Sequence, residues 1–238
     1  MSAPVPNLPP DQGDSLDRMA EADRYNAWLL DRSARFLGRR VLDFGAGIGT
    51  FTAALSSAAH VVAVEPDPAL TQKLRKRFAD DRSVSVIEAG DDWLTDPKAR
   101  SNFETILCLN VLEHIEDDET VLHRFRDCLV TGGHVLLLVP AHQALFGEID
   151  RKVGHKRRYS RLPLAELLKR AGLDPVEIRY VNPLGGLGWL VSSRILKREE
   201  VPIGPLRAYN RLVPLLRHLD DVPLPFGLSV WAVARKAK

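Results

Sequence analysis

Short apolar runs alternate with longer stretches of helical periodicity through the central part of the chain. Runs rich in Val, Ile and Leu are typical of strands that are buried on both faces of a parallel sheet. Apolar residues at spacings of three and four between those runs indicate helices that pack against the sheet. The alternation therefore predicts an α/β fold built from strand and crossover-helix units. The predicted strands are 40–44, 60–65, 84–88, 105–110, 134–139, 176–181 and 228–234.

Helical periodicity also precedes the first strand, where we expect one or two helices. The residues 131–133, Thr-Gly-Gly, predict a turn that leads from a helix back into the sheet. Ser160 is placed to cap a later helix, and Gly172 is placed to end it. The predicted helices are 15–36, 50–58, 68–78, 118–130 and 160–171.

The chain divides into a tail and one domain. Residues 1–14 carry four prolines and almost no large apolar side chain, which predicts a disordered tail. Residues 15–238 are expected to form a single domain. Within it, residues 182–227 are longer than an ordinary connection between two strands, and we expect this insertion to be helical.

The composition excludes several classes of protein. With 45% hydrophobic and 27% charged residues, the 238-residue chain has the balance of a globular protein, not of a disordered or collagen-like one. Its formal charge of +2 gives no overall field that would attract nucleic acid, and no nucleic-acid partner is expected. No stretch approaches the roughly 20 apolar residues of a membrane span. Cys108 and Cys128 lie in apolar-periodic segments, which indicates reduced thiols and a cytoplasmic protein.

Three glycines, Gly45, Gly47 and Gly49, stand at alternate positions after the first predicted strand. Such a turn lets a ligand approach the backbone closely. A dinucleotide-binding fingerprint would place its third glycine where Thr50 stands, so the spacing disfavours a pyrophosphate. The second strand ends in Glu65, where a carboxylate can accept hydrogen bonds from both hydroxyls of a ribose. The pattern favours a ribose-containing cofactor without a pyrophosphate.

Five motifs follow one another over residues 41–140: VLDFGAGIGTFT, VVAVEPDPAL, VIEAGDDW, LCLNVLEHI and CLVTGGHVLLLVP. In this order and spacing they resemble the class I S-adenosylmethionine-dependent methyltransferases, particularly the branch similar to quinone-biosynthesis enzymes. The resemblance implies a Rossmann-like three-layer sandwich with a mostly parallel seven-stranded sheet, whose last strand is antiparallel. It also implies a methyltransferase that uses S-adenosyl-L-methionine.

The resemblance further implies roles for residues at the strand ends. Asp43 and the glycine turn would hold the methionine part of the cofactor, and Glu65 would hold the ribose. Asp91 would accept the adenine amino group, although a solvated turn also fits its position. Tyr25 fits core packing as well as closure over the cofactor. The implied cofactor-binding residues are Tyr25, Asp43, Gly45, Ala46, Gly47, Gly49, Glu65, Pro66, Asp91, Asp92, Trp93 and Asn110.

A base is needed only if the methyl acceptor must lose a proton. His142 and His155 follow the fifth strand, on the side of an open parallel sheet where ligands bind, and histidine has a suitable pKa. His114, after the fourth strand, is a third candidate for a catalytic residue. Some related quinone methyltransferases carry an acid three residues before the equivalent of Glu113, which gives a divalent-metal site. Asn110 stands at that position here, and no metal is expected.

The segments that could bind the methyl acceptor allow several interpretations. The candidate substrate-binding residues are Asp150, Arg157, Arg158 and Tyr159. They belong to a basic run that is either a solvated face or a clamp for an anionic acceptor. Apolar stripes within 184–219 indicate packing on the sheet, with a cover over a hydrophobic acceptor, a dimer face or peripheral contact with a membrane as alternatives. Both a monomer and a homodimer fit.

The function that these observations favour is O-methylation of a small acceptor, a natural-product, quinone-like or glycosyl intermediate. N- or C-methylation is an alternative. A further alternative is a catalytically inactive S-adenosylmethionine-binding module that acts as a partner or regulator. The glycine spacing disfavours an NAD-dependent reductase.

Overall fold

The computed structural model describes residues 22–189, 210–214, 222 and 224–237. The expected tail over 1–14 lies outside the described residues, and so does most of the expected insertion over 182–227. Most of the stretch 184–219, for which membrane contact is one alternative, is also outside the described residues. Among the helices that are described, none has the length and apolar character needed to cross a membrane.

Seven strands form one sheet in the order β3-β2-β1-β4-β5-β7-β6. Strands β1 to β5 pair in parallel, and β7 runs antiparallel to both of its neighbours, β5 and β6. The mostly parallel sheet with an antiparallel last strand is thereby confirmed. The strands are β1 Arg40–Phe44, β2 His60–Glu65, β3 Val84–Glu88, β4 Phe103–Leu109, β5 Leu129–Pro140, β6 Leu173–Val181 and β7 Ser229–Lys236.

The helices connect the strands and cover both faces of the sheet. Asp67 caps one of them by accepting a hydrogen bond from the Leu70 amide at 2.9 Å, and Asp117 caps another through the Thr120 amide at 3.0 Å. Residues 210–214 form a further helical segment. The helices are α1 Asp23–Ser33, α2 Thr50–Leu55, α3 Pro68–Arg77, α4 Asp118–Cys128, α5 Glu148–Lys152, α6 Arg161–Arg170 and α7 Pro183–Trp189. Short 3-10 turns span Ala34–Phe36, Asp91–Thr95, Leu112–His114 and Gln143–Leu145.

The largest difference from the predicted elements lies between α4 and β5. The prediction continues the helix to residue 130 and places a turn at 131–133, whereas β5 already begins at Leu129. Leu129 is buried and pairs with Phe103 of β4, and the register shifts before Thr105. Gly132, with a φ of +80°, absorbs the irregularity inside the strand. Burial of Leu129 against the neighbouring strand thus prevails over the turn propensity of the two glycines.

The two faces of the sheet carry separate apolar layers, as a three-layer sandwich requires. One layer joins α4 and α6 to the sheet and includes the fully buried Phe125 and Leu168. The other joins α1 and the 210–214 segment to the sheet around the fully buried Trp231. Tyr25 and Trp28 of α1 belong to this second layer, with their ring centroids 5.4 Å apart. The interpretation of Tyr25 as a core residue therefore has direct support.

The first turn of α1 is capped by a residue that is distant in sequence. Ala22, the residue before α1, offers no side-chain cap. Instead the Asn210 side-chain oxygen accepts hydrogen bonds from the Arg24 amide at 3.1 Å and the Tyr25 amide at 3.2 Å. The Asn210 amide nitrogen donates to Asp23 at 2.7 Å. These bonds attach the described part of the insertion to α1.

We expect the substitution Asn210→Ala to lower the free energy of unfolding by about 1 kcal/mol, because it removes an N-terminal cap. Urea denaturation would measure the change. The exposed helical residue Gln72 provides the control, since Gln72→Ala should change stability by less than about 0.5 kcal/mol. Equal stabilities of the Asn210→Ala and wild-type proteins would contradict the role of Asn210 as a cap.

Candidate active site

The carboxyl ends of β1 and β2 meet through the glycine turn. Gly45 and Ala46 both donate their amides to the Val64 carbonyl of β2, at 2.8 and 3.1 Å. The Gly47 amide donates to the Glu65 carboxylate at 2.8 Å, and the Gly49 amide donates to the Ala46 carbonyl at 2.9 Å. The amides of Gly45, Ala46, Gly47 and Gly49 are thus engaged within the protein. A ligand would meet carbonyl oxygens and Cα atoms at these four positions.

Two glycines of the turn are required by packing as well as by backbone conformation. Gly45 has a φ of +74°, and a Cβ placed on it would lie 2.4 Å from a methyl group of Val111. Gly49 has a φ of +79°, and its Cβ would lie 2.7 Å from both Leu74 and Phe78 of the α3 region. Both separations are shorter than carbon atoms tolerate, so at these two positions the turn fits against its neighbours only with glycine.

Glu65 ends β2 and is buried, with 4% of its surface exposed. Its two carboxylate oxygens accept hydrogen bonds from the amides of Gly47, at 2.8 Å, and Asp67, at 3.0 Å. Burial raises the pKa of Glu65 above its ordinary value, and the two amides oppose that shift. The carboxylate is therefore fixed in place between the turn and the residues 66–67 that follow β2. Pro66 lies between Glu65 and Asp67 in the chain.

Asp43 lies one strand away and is also buried, with 4% exposed. Its Oδ2 atom accepts a hydrogen bond from the Thr52 hydroxyl at 2.6 Å. Burial raises the pKa of Asp43 to about 6, although the hydrogen bond from Thr52 lowers it. Thr52 was not identified from the sequence. The available signal is its place in the first turns of α2, directly after the glycine turn.

The other strand ends complete the same edge of the sheet. Asp91 begins the 3-10 turn after β3, and its carboxylate pairs with Arg124 of α4. The same guanidinium donates to the Asp91 carbonyl at 3.0 Å, so Arg124 holds the turn from both sides. Asp92 is exposed, and Trp93 packs on Phe103 with ring centroids 6.3 Å apart.

Asn110 follows β4 and is exposed. Its φ is +56°, a left-handed conformation that asparagine adopts more readily than most residues. Its amide donates to the Leu138 carbonyl of β5 at 2.8 Å. Any backbone contact of Asn110 with a ligand is therefore left to its carbonyl oxygen.

The loop after β5 is held by a buried ion pair. Asp150 and Arg158 are both buried, with 2.9 Å between Asp150 Oδ1 and Arg158 Nε. Asp150 Oδ1 also lies 2.7 Å from Nδ1 of His155, and Oδ2 accepts the Gly147 amide at 2.9 Å. Burial alone would raise the pKa of Asp150, but the bond from His155 and the charge of Arg158 hold it below its usual value. Arg158 completes the tie by donating to the Ala141 carbonyl at 3.1 Å.

Tyr159 and Arg157 are tied to the start of α4. The Tyr159 hydroxyl donates to Asp118 at 2.9 Å, and Arg157 pairs with the same carboxylate at 2.9 Å. Of the four predicted substrate-binding residues, Asp150, Arg158 and Tyr159 are thus buried and bonded to other protein groups. These contacts assign the three to holding the loop, because an acceptor would have to break them to be bound.

The three candidate histidines fall into two places. His142 has a φ of +60° and is stacked between the rings of Tyr180, at 4.4 Å, and Phe226, at 5.0 Å. Burial lowers the pKa of His142, and its Nε2 atom is buried without a hydrogen-bond partner. Its ring contacts place it in the packing between β6 and the segment before β7. His114 and His155, in contrast, contact each other edge to face at 4.8 Å.

Glu113 joins the pair of histidines and was missed as a site residue. It is fully buried, and burial raises its pKa to about 7. Donor atoms of Glu113, His114 and His155 all lie within 4.8 Å of one another. The sequence places Glu113 next to His114. It does not indicate that His155 lies beside them, because the contact between Glu113 and His155 depends on how the loop after β5 folds back over the end of β4.

The sheet order and the two strand ends define a class of protein. An open sheet in this order, with a glycine turn after β1 and a carboxylate at the end of β2, is the architecture of the class I S-adenosylmethionine-dependent methyltransferases. Residues 14–178 match the family described as "Methyltransferase domain". The chain belongs to this family, whose cofactor is S-adenosyl-L-methionine.

Two curated relatives are similar over part of their length. An uncharacterised methyltransferase of Bacillus subtilis, YrrT, is 35% identical over 101 residues, which are 42% of this chain and 45% of that protein. The ubiquinone biosynthesis O-methyltransferase of Ralstonia nicotianae is 26% identical over 178 residues, which are 66% of this chain and 73% of that protein. The match thus spans less than half of the Bacillus protein.

One solved structure shows how far the fold extends. Phosphoethanolamine N-methyltransferase 2 of Haemonchus contortus, in complex with S-adenosyl-L-methionine, has a TM-score of 0.64 at 19% identity. The alignment covers 90% of this chain and 53% of that chain. At this identity the likeness shows the fold alone.

Gly45 and Gly132 form a matched pair for testing the turn. Gly45→Ala should lower the free energy of unfolding by about 2–4 kcal/mol, because the new methyl group meets Val111 and the backbone is left-handed. Gly132→Ala has the same kind of backbone but nothing within 4 Å of the new Cβ, so the loss should be about 1–2 kcal/mol.

Urea denaturation of both variants measures the difference. In a Val111→Ala background the loss caused by Gly45→Ala should fall towards that of Gly132→Ala, since the clash is removed. Equal losses for the two glycines in the wild-type background would show that packing against Val111 is not what selects Gly45.

Proposed function

We propose that the protein transfers a methyl group from S-adenosyl-L-methionine to an oxygen atom of a small acceptor, a natural-product, quinone-like or glycosyl intermediate. The observation that carries the proposal is the pair of buried carboxylates, Asp43 and Glu65, on either side of the glycine turn. The similarity to the Ralstonia protein named as an O-methyltransferase supports oxygen as the acceptor atom. The two free, buried thiols of Cys108 and Cys128 support a reducing compartment such as the cytoplasm.

The cofactor supplies a methyl group that its own positive charge already activates, so positioning contributes much of the rate. Within the protein, Glu65 offers two carboxylate oxygens, already oriented by the amides of Gly47 and Asp67, to the hydroxyls of a ribose. The ionised carboxylate of Asp43 supplies a negative charge next to the glycine turn, where it favours binding of a cationic ligand. Buried charges act through a low dielectric and are screened little by salt.

The transfer to oxygen also requires a route for the proton of the acceptor. An oxygen acceptor must lose a proton, and the candidates for assisting that loss are His114 and His155, which lie together beyond β4. The stacked His142 is less suited, because its Nε2 atom is buried between aromatic rings. N- or C-methylation would use the same cofactor site with a different acceptor.

A cofactor-binding experiment tests the proposal. The substitution Glu65→Gln should weaken S-adenosylmethionine binding roughly 10- to 100-fold in isothermal titration calorimetry, because a carboxylate that accepts hydrogen bonds is replaced by a neutral amide. Glu88→Gln is the matched control: Glu88 ends the neighbouring strand β3, but it is exposed and pairs with Arg75 at 3.0 Å. It should leave binding unchanged.

Two results would overturn the proposal: no binding of the cofactor by the wild-type protein, or full affinity in the Glu65→Gln protein. Incubation with the cofactor and a panel of phenols, quinols and sugars, followed by mass spectrometry, separates an enzyme from an inactive binding module. A gain of one methylene in an acceptor identifies the enzyme.

The pH dependence of binding is a separate test of Asp43. With a pKa of about 6, Asp43 is ionised at pH 8 and protonated at pH 5. Since a positively charged ligand favours the ionised carboxylate, affinity for S-adenosylmethionine should decrease as the pH falls below about 6, by at most tenfold per pH unit. In the Asp43→Asn protein the decrease should be smaller. Identical profiles for the two proteins would remove Asp43 from the binding site.

A further inference from the structure

Three potential metal ligands converge between the end of β4 and the loop after β5. Glu113 and His114 lie in the 3-10 turn after β4, and His155 lies between α5 and α6. Their donor atoms are all within 4.8 Å of one another, and Glu113 Oε1 is 3.8 Å from Nε2 of His155. Two imidazoles and one carboxylate form a donor set that zinc binds in proteins, with room for a fourth ligand.

The carboxylate of Glu113 lacks the partners that a buried acid needs. No part of the residue is exposed, and neither of its oxygens has a hydrogen-bond partner. A buried carboxylate without donors is strongly unfavourable unless a cation or a proton neutralises it. The structure therefore presents a buried carboxylate without a hydrogen-bond donor, 3.8 Å from Nε2 of His155.

His155 is held with one ring nitrogen towards Glu113. Its Nδ1 atom bonds to Asp150 at 2.7 Å, and Asp150 is fixed in turn by Arg158 and the Gly147 amide. A histidine that ligates a metal is commonly oriented in this way, by a carboxylate on its other nitrogen. Asp150 and Arg158 form an ion pair, whereas Glu113 is a buried acid without a hydrogen-bond donor.

His114 supplies the third donor. Its ring meets that of His155 edge to face at 4.8 Å, and both side chains are less deeply buried than Glu113. A neutral imidazole is the form in which a histidine binds a metal.

We propose that Glu113, His114 and His155 bind one divalent cation, zinc in preference to magnesium, and that Asp150 orients His155 for this purpose. Magnesium favours sites that consist of oxygen ligands, whereas two of the three donors here are imidazole nitrogens. The sequence alone predicts no metal, because Asn110 stands where related quinone methyltransferases carry an acid. The proposed site takes its third ligand from the loop after β5 instead.

The cation deepens the proposed function, on which this part of the inference rests. An acceptor hydroxyl bound to the cation would become more acidic and release its proton to water, so that His114 and His155 would act as ligands and not as the base. The oxygen then forms a bond to the methyl carbon as the carbon–sulfur bond of the donor breaks, which leaves a neutral thioether. The protein would thus favour acceptors with a phenol or enol oxygen close to this cluster.

Zinc binding to the full chain tests the proposal directly. Protein stripped with a chelator is titrated with zinc chloride in competition with a chromogenic chelator, and the bound metal is counted by mass spectrometry. One zinc ion per chain is expected. Glu113→Gln and His155→Asn should each weaken binding at least 100-fold, and Asp150→Asn should weaken it about 10- to 100-fold, as loss of an orienting carboxylate does.

The controls separate folding from metal binding. His60→Asn changes an exposed histidine at the start of β2 and should leave zinc affinity unchanged. His114→Asn alters a ligand that is less deeply buried than Glu113, and it tests the site should the Glu113→Gln protein fail to fold. Thermal unfolding without zinc establishes that each variant is folded.

Three outcomes would overturn the metal site: fewer than 0.2 zinc ions per chain, unchanged affinity in the Glu113→Gln protein, or unchanged affinity in the His155→Asn protein. S-adenosylmethionine binding to the stripped protein distinguishes the two proposals. Cofactor binding without zinc binding leaves the proposed function standing, and zinc binding without cofactor binding overturns only the proposed function.

Discussion

The candidate active site at the carboxyl edge of the sheet depends on one carbonyl group. Val64, near the end of β2, accepts the amides of both Gly45 and Ala46, and so fixes the turn after β1 against the neighbouring strand. Parallel pairing of Phe44 with Val64 brings the two strands to that point in register. Because the turn is anchored there, Glu65 can receive the Gly47 amide and is held at the crevice where ligands of open α/β sheets bind.

Acidic groups along this edge are placed at the expense of stability. Asp43, Glu65 and Glu113 are all buried, and burial raises the pKa of each above its ordinary value. Asp43 and Glu65 are partly compensated by a hydroxyl and two amides, whereas Glu113 has no hydrogen-bond donor. Unfavourable groups of this kind are common where a protein is organised for a ligand rather than for folding. The remainder of the sheet, with fully buried Phe125 and Trp231 on its two faces, supplies the stability that tolerates them.

The sequence predicts local features well and long-range contacts poorly. Strands β1, β2 and β3 have the predicted bounds, since their apolar runs end at polar or glycine positions. The β5 boundary is wrong because Gly132 and Gly133 look like a turn, while pairing of Leu129 with Phe103 extends the strand. Glu113–His155, Asp91–Arg124 and Asp150–Arg158 join different segments, and nothing in the local sequence around one partner indicates the other.

The bonds of Asn210 also bear on how such proteins diversify. An insertion that formed an independent module would be exchangeable between relatives without regard to the rest of the chain. Here its described part supplies the first turn of α1 with hydrogen-bond acceptors, and Arg24 donates in return to the Arg211 carbonyl at 3.1 Å. A chimera that imports a foreign insertion must therefore import a compatible first helix with it, so that the insertion and the amino-terminal helix evolve as one inherited unit.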